Sequence, residues 1–294
     1  MSPAEADVLV IGRATGATPV RHWWRLLRSE LRIVFLRPRN LALLGVLGAA
    51  PVFLGAVLRI SPPGPGAGEG PGGALILQVT GNGVFLSVAS IFFLLALMLP
   101  LAVAVVSGDS VAGEAGLGTL RTLLIVPAGR FRLVAVKYVV IVAFCLASCA
   151  LVAALGLIMG ALLFPIGRVT LLSGDTVSLA VGLARVAMIV GYVAAGLAAL
   201  GTIGLALSTF SQHAIAVMAA TLVVVVISYI LDSVPQVAAI HPVLPTHFWL
   251  AFDGLLRMPI AWSGLLHGLE SFAAYTVTFG VVALVRIRRA NVTC

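Results

Sequence analysis

The chain has 294 residues, of which 61% are hydrophobic and only 10% charged, whereas an average soluble domain is about 45–50% apolar and about 25% charged. This composition excludes an ordinary soluble protein, and it could supply six membrane-spanning helices of about 20 residues each. The formal net charge of +8 comes from 17 Arg and one Lys against ten acids. Because most of these bases lie between apolar runs, we interpret them as signals of membrane topology and expect no nucleic-acid partner.

The N-terminal part of the chain combines a polar tail with an amphipathic segment. Residues 1–19 are polar and rich in Gly and Ala, and we expect a disordered tail there. Residues 20–37 predict a helix with arginines on one face and apolar side chains on the other. Such a helix is typical of the membrane interface, and an ordinary surface helix packed on protein is the alternative. The predicted interface residues are Arg21, Trp23, Trp24, Arg25, Arg28 and Arg32.

Residues 38–294 form the predicted transmembrane domain, an all-α polytopic bundle of six helices. Arg37-Pro38 separates this bundle from the amphipathic helix, because proline disfavours helical geometry in the residue before it. The 46 residues from Val186 to Leu231 lack Asp, Glu, Lys and Arg, and they must fold back because one helix of that length would extend about 69 Å. The predicted spans are 41–58, 84–107, 138–164, 179–207, 214–231 and 263–285.

Small residues inside the spans are expected to serve packing. Cys145 and Cys149 lie in an apolar run and Cys294 is the last residue, so the cysteines form no disulfide framework. We expect Cys145 and Cys149 to be core residues. The glycines expected to allow close helix packing are Gly156, Gly160, Gly191, Gly196, Gly201 and Gly204.

The distribution of bases between the two sides of the bundle predicts its orientation. Fourteen bases fall on the side of the N-terminus, whereas Arg59, Arg168, Arg185 and Arg257 fall on the other side. This bias predicts that both termini are cytoplasmic. The ionisable residues inside spans are Arg185 and Glu270, at matched depth, which makes them a candidate intramembrane ion pair. The alternative is that each side chain extends separately to the outer headgroups.

Patterns typical of enzymes are missing from the chain. It contains no P-loop, no H-E-x-x-H and no G-x-S-x-G sequence, so we predict no catalytic residue and no ATP site of the P-loop type. Its histidines are dispersed, so we predict neither a metal site nor a cofactor on this chain. These histidines include His213, His241, His247 and His267.

The connection between the second and third spans carries the most informative pattern. Its residue types indicate a cytoplasmic segment about 25 residues long with a short helix at 118–125, which ends before Pro127. A solvated loop without further role is the alternative. The segment resembles the first cytoplasmic loop of permeases of the type-two exporter family of ABC transporters, which reads acid, Glu, Gly-Thr-Leu, leucines, Pro, Arg and Lys. The matching positions are Asp109, Glu114, Gly118, Thr119, Leu120, Leu124, Pro127, Arg130 and Lys137.

The resemblance extends more loosely over the whole chain. It includes the interface helix, six spans, a turn containing Ser208, and an outer segment at 244–249 that is similar to the re-entrant hairpin of these permeases. The sequence departs from the family at Ala115, where members often carry a base.

The resemblance implies that the chain is the six-helix transmembrane subunit of an ATP-driven exporter in a bacterial cytoplasmic (inner) membrane. The helix at 118–125 would be a coupling helix seated on a separate ABC ATPase subunit, with Leu120 and Leu124 as apolar contacts and Glu114 and Arg121 as paired ones. ATP and Mg would bind the ATPase, and a second permease copy or a homologous permease would complete the transporter, surrounded by membrane lipids. Few charges along the pathway favour a lipid-like or drug-like substrate. The alternative is an ATP-independent secondary transporter or channel.

Overall fold

The computed structural model describes residues 19–64, 72–116 and 130–289, so residues 1–18 of the predicted tail lie outside the described residues. In chain order the elements are helices α1 (Pro19–Leu36), α2 (Pro38–Ile60), α3 (Gly73–Gly81), α4 (Val84–Leu95), α5 (Met98–Gly116) and α6 (Arg130–Leu163), strands β1 (Val169–Thr170) and β2 (Thr176–Val177), helices α7 (Leu179–Ser208) and α8 (Ala214–Asp232), two 3-10 segments (Pro235–Val243 and His247–Leu256) and helix α9 (Trp262–Arg289).

Among the described residues, five helices are long and apolar enough to cross a membrane, namely α2, α6, α7, α8 and α9. Helices α4 and α5 pass the same test together, although the chain bends by 58° between them. The structure therefore offers five or six candidate spans. An all-α polytopic fold is confirmed, to which β1 and β2 add only a two-stranded antiparallel hairpin.

Proline residues explain two of the helix boundaries. Arg37, between α1 and α2, has an extended backbone (φ −64°, ψ 128°), because Pro38 excludes the helical conformation from the residue before it. The break between α4 and α5 at 96–97 lies just before Pro100. Pro100 cannot donate a backbone hydrogen bond to the carbonyl of Ala96, and its ring would clash with that carbonyl. The second predicted span, 84–107, is consequently a bent helix pair.

Helix α3 is not among the predicted elements. It buries Leu75 and Val79 and contacts α4. Asn82 then fixes the turn between the two helices, because its Nδ2 donates to the Arg168 carbonyl at 3.1 Å and its Oδ1 accepts from the Val84 amide at 3.0 Å. The apolar run before the second span thus folds back onto the bundle.

Helix α7 occupies the centre of the bundle, where it contacts α5, α6, α8 and α9. Its glycines let neighbouring helices approach: a Cβ at Gly204 would overlap the Ser107 side chain on α5, and a Cβ at Gly201 would overlap Ile141 on α6. Small residues therefore set the spacing of the core, as the sequence predicts for these two positions.

Helices α4 and α6 make a backbone contact at one end of the bundle. A Cβ added at Gly160 would overlap the backbone of Gly83, and the reverse also holds. Farther along α6, Cys145 and Cys149 are fully buried, which confirms their expected place in the core. The prediction for Gly191 is wrong, because no described atom outside its own stretch of helix lies within 4 Å of where its Cβ would be.

The crowded site of Gly160 and the open site of Gly191 predict different effects of alanine substitution on stability. Gly160→Ala should lower the stability of the purified protein by about 1–3 kcal/mol, because the backbone of Gly83 cannot give way as a side chain could. Gly191→Ala, the matched control, should leave stability unchanged or raise it slightly through better helix propensity. Thermal unfolding in detergent measures both, and equal melting temperatures would contradict the backbone contact.

Candidate functional site

One end of the bundle collects most of the described basic side chains, and we call it the basic end. It comprises α1, the start of α2, the end of α5, the start of α6, the turn between α7 and α8 and the end of α9. The described bases there are Arg25, Arg28, Arg32, Arg37, Arg39, Arg132, Lys137, Arg286, Arg288 and Arg289. At the opposite end lie Arg59, Arg168, Arg185 and Arg257, which is the asymmetry that the sequence predicts.

Five charged residues at the basic end form three ion pairs in two groups, which join helices α1, α2, α5 and α6. We call them the junction cluster. They are Glu30, Arg37, Arg39, Asp109 and Lys137.

Asp109, near the end of α5, binds both arginines beside the α1–α2 break. Its Oδ2 accepts a hydrogen bond from Nη1 of Arg37 and lies 3.2 Å from Nη2 of Arg39. The carboxylate is only 15% exposed, so water screens these contacts less than it would at an open surface. Since Pro38 stands between the two arginines, Asp109 holds the break in the chain and attaches it to α5.

Glu30 and Lys137 form the second group, a pair between α1 and α6. Nζ of Lys137 lies 3.5 Å from Oε2 of Glu30, and the lysine side chain is only 3% exposed. Apolar contacts surround this pair, because Leu27 of α1 is buried against Val136 and Val140 of α6. Helix α1 is therefore fixed to α6 by apolar packing together with one buried charge pair.

A polar cleft lies between the Asp109 group and the Glu30–Lys137 pair. Asn40 lines it together with Glu30, Asp109 and Lys137, and Nδ2 of Asn40 donates to the Val34 carbonyl at 2.8 Å. Its Oδ1 is buried without a hydrogen-bond partner among the described residues. Buried polar atoms are normally paired, so this oxygen marks the cleft as a polar site inside the apolar bundle.

The turn between α7 and α8 also reaches the junction cluster. The hydroxyls of Ser110 and Ser208 lie 3.4 Å apart, and Gln212 and His213 line a groove beside Asp109. The end of α5 is thus in contact with the α1–α2 break on one side and with the α7–α8 turn on the other.

Only part of the predicted coupling segment is described. Asp109 belongs to the junction cluster. Glu114 is near the end of α5 and Arg130 is the first residue of α6, so they lie at the two edges of the segment. The remaining predicted positions lie outside the described residues; they are Gly118, Thr119, Leu120, Arg121, Leu124 and Pro127.

Helix α1 shows the two faces that the sequence predicts. The side chains of Arg25, Arg28 and Arg32 are exposed, whereas Leu27 is buried on α6 and Trp23 packs partly beside it. Trp24 is exposed with the arginines, and the side chain of Arg21 lies outside the described residues. One face of α1 thus packs on α6, and the arginine face is exposed among the described residues.

The predicted ion pair between Arg185 and Glu270 is wrong. Arg185 is 5% exposed, and its Nη1 donates to the carbonyls of Leu255 at 2.5 Å and Arg257 at 2.9 Å. Glu270 lies on the exposed face of α9. The carbonyls at the end of a helical segment lack partners within that segment, so they can satisfy a guanidinium without a carboxylate. Matched depth along two helices could not reveal such a partner.

The sequence analysis missed most of the junction cluster, although a signal exists. Arg37 and Arg39 flank the proline break. Lys137 is the one lysine of the chain and lies near the start of α6. The fold also brings His241 and His247 beside Asp232, a grouping that their separation in sequence does not predict.

Removing one member of the buried pair should be worse than removing both. Lys137→Met leaves the carboxylate of Glu30 buried beside an apolar side chain, which should cost about 3–5 kcal/mol of stability. Adding Glu30→Gln should restore more than half of that loss. Unfolding midpoints in detergent test the cycle, with Arg168→Met at an exposed base as the control, and purely additive losses would contradict the pairing.

Comparison with known proteins gives a family without a described activity. A family described as a protein of unknown function (DUF2705) matches residues 76–293, which include α4 to α9 and most of α3. No curated protein matches the chain. The matched region covers well over half of the sequence and contains Asp109 and Lys137 of the junction cluster. The chain therefore belongs to the DUF2705 family.

Proposed function

We propose that this chain is the transmembrane permease subunit of an ATP-driven ABC exporter in a bacterial cytoplasmic (inner) membrane. The observation that carries the proposal is the junction cluster. Asp109 and Lys137 are the first and last positions of the family-like loop pattern, and each forms an ion pair with α1 or with the α1–α2 break. Both edges of the predicted ATPase-binding segment are thereby connected to the first two helices.

The connections suggest how a displacement of the segment reaches the bundle. Helix α5 continues to Gly116 and α6 begins at Arg130, so a push on residues 117–129 acts on the ends of two long helices. Through Asp109 the force on α5 reaches Arg37 and Arg39, and through Lys137 the force on α6 reaches α1. A chain of ion pairs and rigid helices is one of the physical routes by which distant sites are coupled.

The ATPase would be a separate subunit, since the chain carries no P-loop sequence. ATP and Mg would bind there, and the helix at 118–125 would be the coupling helix. A second copy of this chain or a homologous permease would complete the transporter. The arginine face of α1 would rest on the cytoplasmic leaflet, where each base near anionic lipid contributes about 1 kcal/mol.

An apolar groove on α9 supports the proposal that the substrate is lipid-like or drug-like. Phe248, Tyr275 and Phe279 line it, and His267 and Glu270 add polar groups at one side. Its volume of about 540 Å³ falls in the range of small-molecule sites. Mostly apolar walls with a few polar groups suit an amphipathic molecule better than an ion.

The first test asks whether an ATPase binds the 117–129 segment. The chain should co-purify with an ABC ATPase from its native membrane, and Leu120→Asp should remove that ATPase while the variant stays in the membrane. Leu120→Met is the matched control and should retain the ATPase. Transport that continues without any ATPase or ATP would favour a secondary transporter or channel instead.

The second test concerns the junction cluster. In a Cys294→Ser background, a cysteine at the exposed position 24 (Trp24→Cys) should change its labelling rate when ATP binds the assembled complex. Asp109→Asn should abolish that change, because α5 loses its hold on Arg37 and Arg39, yet it should leave the ATPase bound. Asp253→Asn breaks an exposed Asp–Arg pair at the opposite end and should have no effect. Identical behaviour of the two variants would contradict the proposed route.

The interface position of α1 gives a further expectation. Changing Arg25, Arg28 and Arg32 to Gln should reduce quenching of the exposed Trp24 by lipids labelled at the headgroup, because the helix loses its attraction to anionic lipid. The same variant in vesicles of neutral lipid serves as the control. Unchanged quenching in anionic vesicles would show that α1 is held by α6 alone.

A further inference from the structure

At the end of the bundle opposite the junction cluster, three potential metal ligands converge. Asp232 is the last residue of α8, His241 lies in the first 3-10 segment, and His247 begins the second. Nδ1 of His247 lies 2.6 Å from Oδ1 of Asp232, and Nδ1 of His241 lies 3.8 Å from the same oxygen. All three ligand atoms lie within 4.8 Å of one another.

The backbone sets the orientation of the His241 ring. Its Nε2 lies 3.1 Å from the Leu231 carbonyl and 3.2 Å from the Val234 carbonyl. Carbonyl oxygens only accept hydrogen bonds, so Nε2 carries the proton in the neutral ring, and the lone pair is on Nδ1. A histidine that binds a metal through one nitrogen commonly donates the other N–H to a carbonyl or carboxylate. His241 already has this arrangement, with its free nitrogen directed toward Asp232.

The charge of the cluster also suits a cation. The ion pairs that the structure shows for Asp232 are with the two histidines, and at 2.6 Å Nδ1 of His247 donates its proton to the carboxylate. The three side chains are 17–31% exposed, so the group is accessible to solvent but not fully hydrated. A metal that replaces this proton would bind a carboxylate oxygen between two imidazole nitrogens, which is a favourable place for a divalent ion.

We propose that Asp232, His241 and His247 bind a divalent transition-metal ion, with Zn²⁺ as the expected occupant. Two imidazoles and a carboxylate are ligands that zinc uses, and a fourth position is left for solvent. At zinc–ligand distances of about 2.0–2.1 Å the ligand atoms of a tetrahedral site are about 3.3 Å apart. His241 must therefore approach and the short His247–Asp232 contact must open, each by a side-chain adjustment on the order of 1 Å.

The bound ion would connect the end of α8 to both 3-10 segments and so stabilise the irregular connection between α8 and α9. Its ligands lie on the end of α8 and on both 3-10 segments, and the second segment supplies the carbonyl of Leu255 that holds Arg185. His247 is followed by Phe248, which lines the α9 groove. The site would thus stabilise this end of the bundle, and the inference does not depend on the proposed transport function.

The test is Zn²⁺ binding by the full-length protein after removal of any affinity tag. Equilibrium dialysis with metal analysis should find one Zn²⁺ per chain in a Cys294→Ser background, undisplaced by excess Mg²⁺. Asp232→Asn, His241→Gln and His247→Gln should each weaken binding by about 10–100-fold. His213→Gln and His267→Gln, which change histidines outside the cluster, should bind as the unmodified protein does. Substitution by Co²⁺ should give the visible absorption bands of a four-coordinate nitrogen and oxygen site.

A readout on the unmodified protein covers the case in which a variant fails to fold. Zn²⁺ should raise its melting temperature and a chelator should reverse the rise. The proposal is overturned if the unmodified protein binds no Zn²⁺ at one per chain, or if the three cluster variants bind as tightly as His267→Gln. A Co²⁺ spectrum with thiolate charge-transfer bands would overturn it too, because the ion would then lie on cysteine.

Discussion

The carboxylate of Asp109 fixes the break between α1 and α2. Pro38 separates α1 from α2 but does not determine where α1 goes, since an extended residue allows many directions. The two arginines beside the proline both bind Asp109, which orients the break toward α5. In this orientation Leu27 packs on α6 and Glu30 reaches Lys137. The amphipathic pattern of α1 then leaves its arginines facing outward.

Buried charge elsewhere is satisfied in a different way. Lys137 uses a carboxylate, whereas Arg185 uses two carbonyls at the end of a 3-10 segment. In an apolar bundle both solutions avoid an unpaired charge, but their consequences differ. The Lys137–Glu30 pair links the side chains of two helices, whereas the carbonyls connect Arg185 of α7 to the backbone of an irregular connection.

The sequence predicts most of the helices, because long apolar runs and prolines act locally. The break at Pro38 and the buried Cys145 and Cys149 follow from residue type alone. The carbonyl partner of Arg185 could not be predicted, since every residue has a backbone carbonyl and the sequence does not indicate which one will lie near the guanidinium. The histidine cluster depends on how 15 residues of irregular chain fold back from Asp232 to His247, and no periodic pattern specifies that path. For the junction cluster the ion-pair partners lie far apart in sequence, and the packing of separate helices brings them together.

Helix α7 connects the two ends of the molecule. Toward the basic end, Gly204 lies against Ser107 of α5, which is within one turn of Asp109 and Ser110. Toward the other end, the buried Tyr192 donates its hydroxyl hydrogen bond to the Phe248 carbonyl at 2.7 Å, beside the α9 groove. Gly204 and Tyr192 are 12 residues apart, which is about 18 Å along the helix axis. A tightly packed helix transmits a shift along its axis because its side chains leave no room for compression. In the proposed transporter, a displacement of α5 would therefore reach the groove through α7, which it meets at places that include the contacts of Gly201 with Val103 and of Gly204 with Ser107.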